Sequence, residues 1–384
     1  MRKALTYILA LMLMACSSSS GGEEERIAPP EEEQQIMLSF YVYSPEHPLL
    51  TRANAGESDA SKEESEVKRL QIWVFENGTD KLVAYYEPNS TASLNGTSGG
   101  DVYQVPVSRD FANRRPRVDV YVLANGTEAN MGKVYNKNTP LDDLKAAPLN
   151  NDHFGTDPLT TSVPADRLPM SGVLLNQPVS GEKPILRIGT NYSEMATVRL
   201  VRAVSKVQFV FGAMQGSNLQ IKGITIDENM IPGVEYLFLE GPYTGRNTHI
   251  WETSYLGTSV SLFQSTLGVP EVTDPLEYIF IDGVESAQEY EKRINTAVIG
   301  KKLSSAGPYY LHESDKQLTG KVSYSVNGVD MTPAPFSMAE AGDFSRNHTW
   351  LIYAYYGDAV LNFNVVDVNS WTDRDVRNHD VYNW

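Results

Sequence analysis

Val67-Lys68-Arg69-Leu70-Gln71-Ile72-Trp73-Val74-Phe75-Glu76-Asn77-Gly78 is the stretch on which the fold turns. Leu70, Ile72 and Val74 alternate with Gln71, Trp73 and Phe75, and Asn-Gly closes the run. A period of two in β-branched and aromatic residues, followed by a turn dipeptide, predicts a strand with one face in a core. The same pattern recurs outward in both directions: 36–43 (IMLSFYVY), 118–124 (VDVYVLA), 207–211 (VQFVF), 219–226 (LQIKGITI), 321–326 (KVSYSV), 349–356 (TWLIYAYY) and 360–366 (VLNFNVV). Turn clusters separate the runs at 95–100, Asn125-Gly126 and Asn327-Gly328, the first read as a hairpin turn. Helical signal is confined to 140–147, with Pro140 near its start, and to 288–297. The fold class is therefore mainly β, in sandwich-like domains with few short helices.

Length and pattern predict two such domains in tandem. Strand patterning restarts at 200–206 after a loop-rich stretch, which places one domain at 34–203 and the other at 204–384. Across 384 residues, 32 basic and 48 acidic side chains give a net charge of −16. That balance repels phosphate backbones and argues against nucleic acid as a partner.

The first residues read as an address. Arg2 and Lys3 precede an eleven-residue apolar run, Leu5 to Ala15, too short to span a bilayer and suited to a signal-peptide core. The run ends in Leu13-Met14-Ala15-Cys16, which resembles a bacterial lipobox. In that family the peptide before the cysteine (here 1–15) is removed and the cysteine, Cys16, carries lipid. The polar stretch at 16–33 has the composition of a flexible tether. Cys16 is the chain's single cysteine, so no internal disulfide or paired-cysteine metal site can form.

Catalytic patterns are missing. His47, His153, His249, His312, His348 and His379 are nowhere three or four residues apart, and no nucleophile elbow appears. The Gly-rich stretch at 96–100 lacks the lysine of a phosphate loop. Asp142-Asp143 and Asp373/Asp375 read as solvated loop charge on an acidic chain. The chain is predicted not to be an enzyme.

Two segments offer a different chemistry. Ile36, Leu38, Phe40 and Val42 form the apolar face of a first strand, followed by a loop carrying Arg52-Ala53, the lone basic residue between Arg26 and Lys62. Either Arg52 is an ordinary loop arginine, or a trypsin-like cut after it frees the first strand and opens an apolar groove with unpaired backbone groups. Such an edge recruits a strand from another chain. At the other end, Val360, Leu361, Phe363 and Val365 lead an apolar-alternating segment, about 359–384, able either to fill a neighbour's groove or to be the last strand of its own domain. A polar, acidic stretch, 57–66, reads as a linker between the first strand and Leu70.

The order of these features resembles the FimA-type fimbrillins of Bacteroidales, subunits of type V pili. It is carried by Met14-Ala15-Cys16, the tether, the first strand, Thr51-Arg52-Ala53, the 67–78 stretch, Leu168-Pro169-Met170-Ser171-Gly172, Arg202-Ala203-Val204-Ser205-Lys206-Val207 and the final Asn383-Trp384. The resemblance implies two transthyretin-like sandwiches and a lipoprotein precursor carried to the outer membrane. An arginine-specific protease cuts between Arg52 and Ala53, the strand 34–52 leaves, and a neighbour's C-terminal strand replaces it. No nucleotide, metal or other cofactor is implied. Implied partners are further copies of the subunit, anchor and tip proteins, the protease, and a receptor on a host or bacterial surface. Arg52 together with a C-terminal tail favours a shaft subunit over a tip or an anchor. The reading of a different class is an uncut surface lipoprotein that stacks sugars on exposed Trp or Tyr side chains. Removing the first 52 residues, with four basic and seven acidic side chains, leaves 332 residues, a charge of −13 and no cysteine.

Overall fold

A computed structural model describes residues 35–43, 63–95, 100–149, 163–179, 196–233, 236–239 and 255–368. Described residues before 203 form β1 (Gln35–Tyr43), β2 (Leu70–Glu76), β3 (Leu82–Tyr86), β4 (Gly100–Ser108), β5 (Arg117–Ala124), β6 (Met170–Pro178), β7 (Thr197–Arg199) and β8 (Val201–Arg202). One sheet has the order β4-β1-β7 and a second the order β3-β2-β5-β6-β8. Leu38, Phe40, Val42, Val105 and Val107 from the first meet Leu70, Ile72, Val74, Val120 and Val122 from the second in one core. The result is a sandwich, mainly β as the alternation predicts.

The second sheet is covered on both faces. Trp73, Phe75, Tyr121 and Leu123 point away from that core into another cluster, with Tyr135, Leu141, Leu144, Phe238 and Tyr310. Gln71 sits on this second face, fully buried, and donates from Nε2 to the Tyr135 carbonyl and the Tyr85 hydroxyl, both at 2.8 Å. The alternation of 70–75 is thus real, and all six of those residues lie out of water.

A second set of strands follows: β9 (Ser205–Met214), β10 (Leu219–Ile226), β11 (Val260–Phe263), β12 (Leu267–Gly268), β13 (Glu271–Val272), β14 (Ser304–Leu311), β15 (Thr319–Val326), β16 (Val329–Asp330), β17 (Ala334–Ser337), β18 (Thr349–Gly357) and β19 (Val360–Val368). One sheet runs β11-β10-β15-β16, with β12 on β10 and β17 on β15. The other runs β13-β9-β18-β19, with β14 on β9. Phe209, Phe211, Ile352 and Leu361 of the latter pack on Ile221, Ile224, Val322 and Phe336 of the former. The far face of the β9 sheet carries Val210, Leu351, Tyr353, Val366 and Val368 against Tyr290 and Ile294.

Those two side chains belong to the helix Ala287–Ile299, whose Ser286 and Glu289 form a reciprocal capping box. The other predicted helix is Leu141–Lys145, with Pro140 as its N-cap residue. Asn327 and Gly328 both have positive φ, 53° and 80°, the conformation of a two-residue hairpin turn between β15 and β16. Residues 96–99 of the stretch read as a hairpin turn lie outside the described residues; the strands on either side, β3 and β4, lie in different sheets, and Gly100 is the first residue of β4. A Cβ on Gly100 would strike the Tyr41 ring, so a glycine is needed there for close approach.

Candidate functional site

β1 is an internal strand of its sheet. It pairs antiparallel with β4 over all nine residues, from Gln35 opposite Ser108 to Tyr43 opposite Gly100. On its other side it pairs parallel with β7, but only through Tyr41, Val42 and Tyr43. Tyr41 N–H donates to the Ala196 carbonyl at 2.9 Å, and the Tyr43 carbonyl accepts from Leu200 N–H at 2.8 Å. Leu38, Phe40 and Val42 are wholly buried in the sandwich core, as the alternation predicts. Ile36 is paired in register with Val107. At roughly 1.5–3 kcal/mol per side chain, those three contribute on the order of 5–9 kcal/mol of apolar burial. Taking β1 away would strip the paired edge of β4 and leave a slot one strand wide between β4 and β7.

β19 is an edge strand. It pairs antiparallel with β18 from Val360 opposite Gly357 to Val368 opposite Thr349, and among the described residues no strand flanks its other side. Leu361 is buried in the second core, with Phe363 and Val365 packed against it, while Val360 is exposed. The opposite face is not simply polar. Asn364 Oδ1 accepts from Phe280 N–H at 2.9 Å and from the Tyr290 hydroxyl at 3.3 Å, and Val366 and Val368 enter the helix-covered cluster. So Val360, Leu361, Phe363 and Val365 are seated in the chain's own sheet, because both faces of the strand have apolar partners there. The structure does not bring them near β1's sheet.

Cys16, Arg52 and Ala53 lie outside the described residues, as do Asp373, Asp375 and the tail after Val368. Of the acidic pairs, Asp143 is salt-bridged to Lys133 at 2.8 Å on the surface. Among the described residues no group of three His, Cys, Asp or Glu could hold a metal ion, and no helix is long and apolar enough to cross a membrane. Trp73 is fully buried with Nε1 donating to the Asn136 carbonyl at 2.9 Å, and Trp350 is buried in the second core. Neither is available to stack on a sugar. Trp251, Trp371 and Trp384 are outside the described residues.

Sequence reasoning missed a polar cluster where the two sandwiches join. Glu64, from the stretch read as an acidic linker, is buried with the Lys206 ammonium at 2.9 Å and the Tyr310 hydroxyl donating at 2.7 Å. Arg202 is buried beside it and bonds Ser65, Asn347 and the Glu64 carbonyl. Burial lowers the Arg202 guanidinium to about 10, with the Glu64 carboxylate opposing that shift. Burial is the strongest single influence on Lys206 and opposes its charge, but the Glu64 and Glu291 carboxylates together outweigh it and the pKa is raised. The signal was present: two cations four residues apart in the apolar run 200–211 need a buried anion.

Residues 47–202 match the family described as Major fimbrial subunit protein (FimA), so over that span the resemblance read from the sequence holds. No curated protein matches the chain. Among solved structures, the chain is similar to the C-terminally truncated tip fimbrial protein Mfa3 from Porphyromonas gingivalis. Identity is 12%, covering 87% of this chain and 99% of that one, at a TM-score of 0.46. A putative cell adhesion protein from Parabacteroides distasonis is 15% identical, covering 87% and 96%, at 0.49.

Proposed function

We propose that the chain is a structural subunit of a cell-surface pilus, assembled by cleavage-triggered strand exchange and placed in the shaft. The supporting observation is the placement of β1: it is internal to its sheet and fills the core with Leu38, Phe40 and Val42, yet belongs to a segment that precedes Arg52. A cut between Arg52 and Ala53 by an arginine-specific protease leaves β1 held by noncovalent contacts alone. A strand from a second copy can then replace it by pairing with β4 and β7. The precursor reaches the outer membrane through lipid on Cys16, and that handle departs with the first strand. The C-terminal segment 359–384 supplies the donor. Because β19 is occupied at home, the weight of that role falls on the residues after Val368.

Sequencing the N-terminus of protein taken from its native surface tests this. A start at Ala53 is the expected result. Full-length material with lipid still on Cys16 would overturn the shaft role and favour an anchor subunit or an uncut lipoprotein.

A further inference from the structure

The chain after the first strand is fastened where a free linker would serve. Glu63 and Glu66 both reach the Arg167 guanidinium, at 3.6 Å and 2.5 Å. Glu64 lies between Lys206 on β9 and Tyr310 on β14. The Ser65 hydroxyl meets Arg202 Nη2 at 2.5 Å. Asn125 Nδ2 donates to the Glu66 carbonyl at 2.9 Å, and Asn95 Oδ1 accepts from Val67 N–H at 2.7 Å. Partners of 63–67 thus come from both sandwiches: Asn95, Asn125, Arg167 and Arg202 from the first, and Lys206, Tyr310 and, through Arg202, Asn347 from the second.

An exposed salt bridge contributes little, but this one has no water to compete with it. A carboxylate whose relative exposure is 1% is held only if its charge is met, and Lys206 and Tyr310 meet it. Removing it would leave a buried ammonium without its anion. Immediately downstream, Lys68 donates from Nζ to the Ala165 carbonyl at 2.8 Å, Arg69 is bonded to Glu87, and Asn125 Oδ1 accepts from Lys68 N–H at 2.8 Å. The peptide bonds after Lys68 and Arg69 are therefore part of the folded body.

We infer that residues 63–66, with Glu64 at the centre, form a clasp that ties the two sandwiches together and sets the limit of N-terminal processing. The chain tolerates scission after Arg52 or Lys62 and resists it after Lys68 or Arg69. The inference builds on the strand-exchange reading, since it explains how a subunit that has shed its first strand keeps its joint. Glu64 is a positioning residue: it acts through Lys206 and Tyr310.

Limited digestion of the full chain with trypsin, read by mass and N-terminal sequencing, tests the clasp independently of any native protease. The expected stable product begins at Ala53 or Glu63. In Glu64→Ala, cutting after Lys68 or Arg69 should accelerate by more than about a hundredfold, because the open state gains population. Tyr310→Phe keeps the volume and removes one donor, and should accelerate the same cuts about fivefold. It decides the matter if Glu64→Ala gives no cooperative melt. Wild-type protein cut after Lys68 as fast as after Arg52, or a folded Glu64→Ala or Tyr310→Phe chain protected like wild type, would overturn the clasp. Absence of an Ala53 start in native material would instead count against the strand-exchange reading and leave these digestion results intact.

Discussion

His312 is fully buried, with Nδ1 3.2 Å from the Pro232 carbonyl and Nε2 without a hydrogen-bond partner among the described residues. Burial, with the Arg346 guanidinium nearby, pushes its pKa down from 6.5 to about 4, against the Pro232 carbonyl and Glu313. The unfolded chain takes up that proton near its ordinary pKa and the folded chain only near 4. Stability is therefore full above about 6.5, falls as pH drops through that window, and levels off below about 4. The expected loss is about 3 kcal/mol, seen as a drop in urea midpoint between pH 7 and pH 4. In His312→Gln that part of the slope should vanish; a variant with the wild-type slope would place its origin in another group. None of this was legible in the sequence, where His312 was one of six scattered histidines. Burial of a polar residue depends on what long-range pairing brings over it. For Glu64 the cations Arg202 and Lys206 signal a buried anion, but not which one, since its partners lie 142 and 246 positions away.

At the scale of elements, local alternation worked where a strand is regular and failed where the chain bends. The alternating segment 219–226 is β10 from end to end, and the run 36–43 lies within β1, which begins one residue earlier at Gln35. β4 was missed although Tyr103, Val105 and Val107 alternate into the core, because Gly100 and Pro106 mask the pattern. Pro106 is tolerated since β4 is the outer strand of its sheet, where a missing N–H breaks no ladder. β14 was hidden likewise by Gly307-Pro308, where its register against β9 shifts. For the candidate site, the inward set on β1 was readable from period two alone, whereas the internal position of β1 was not, since pairing order is non-local. That position carries a prediction. Phe40→Ala should lower the stability of the uncut chain by about 3–5 kcal/mol, measured by denaturant melts. It should also speed loss of the strand after cleavage at Arg52, measured by separating the cut product on a column. A cost below about 1 kcal/mol would mean that β1 is not packed in the core as found.

At the scale of the whole molecule, the two ends of the chain are not equivalent exchange elements. β1 is internal, and its loss leaves two unpaired edges and an apolar slot. β19 is a sheet edge already, and its loss would uncover Leu361, Val366 and Val368 from two separate clusters. A donor that had to abandon both clusters would offset most of what it gained in a neighbour's slot, so exchange is favoured when the donor is additional to the fold. Two truncations separate the possibilities. A chain ending at Val368 keeps β19 and, if the tail is additional to the fold, should melt within about 0.5 kcal/mol of the full chain. After cleavage at Arg52 it should fail to grow fibres by electron microscopy while still accepting a full-length neighbour's tail. A chain ending at Asp358 should lose both stability and fibre growth. Fibres from the chain ending at Val368 would return the donor role to Val360, Leu361, Phe363 and Val365 and require β19 to leave β18 during assembly.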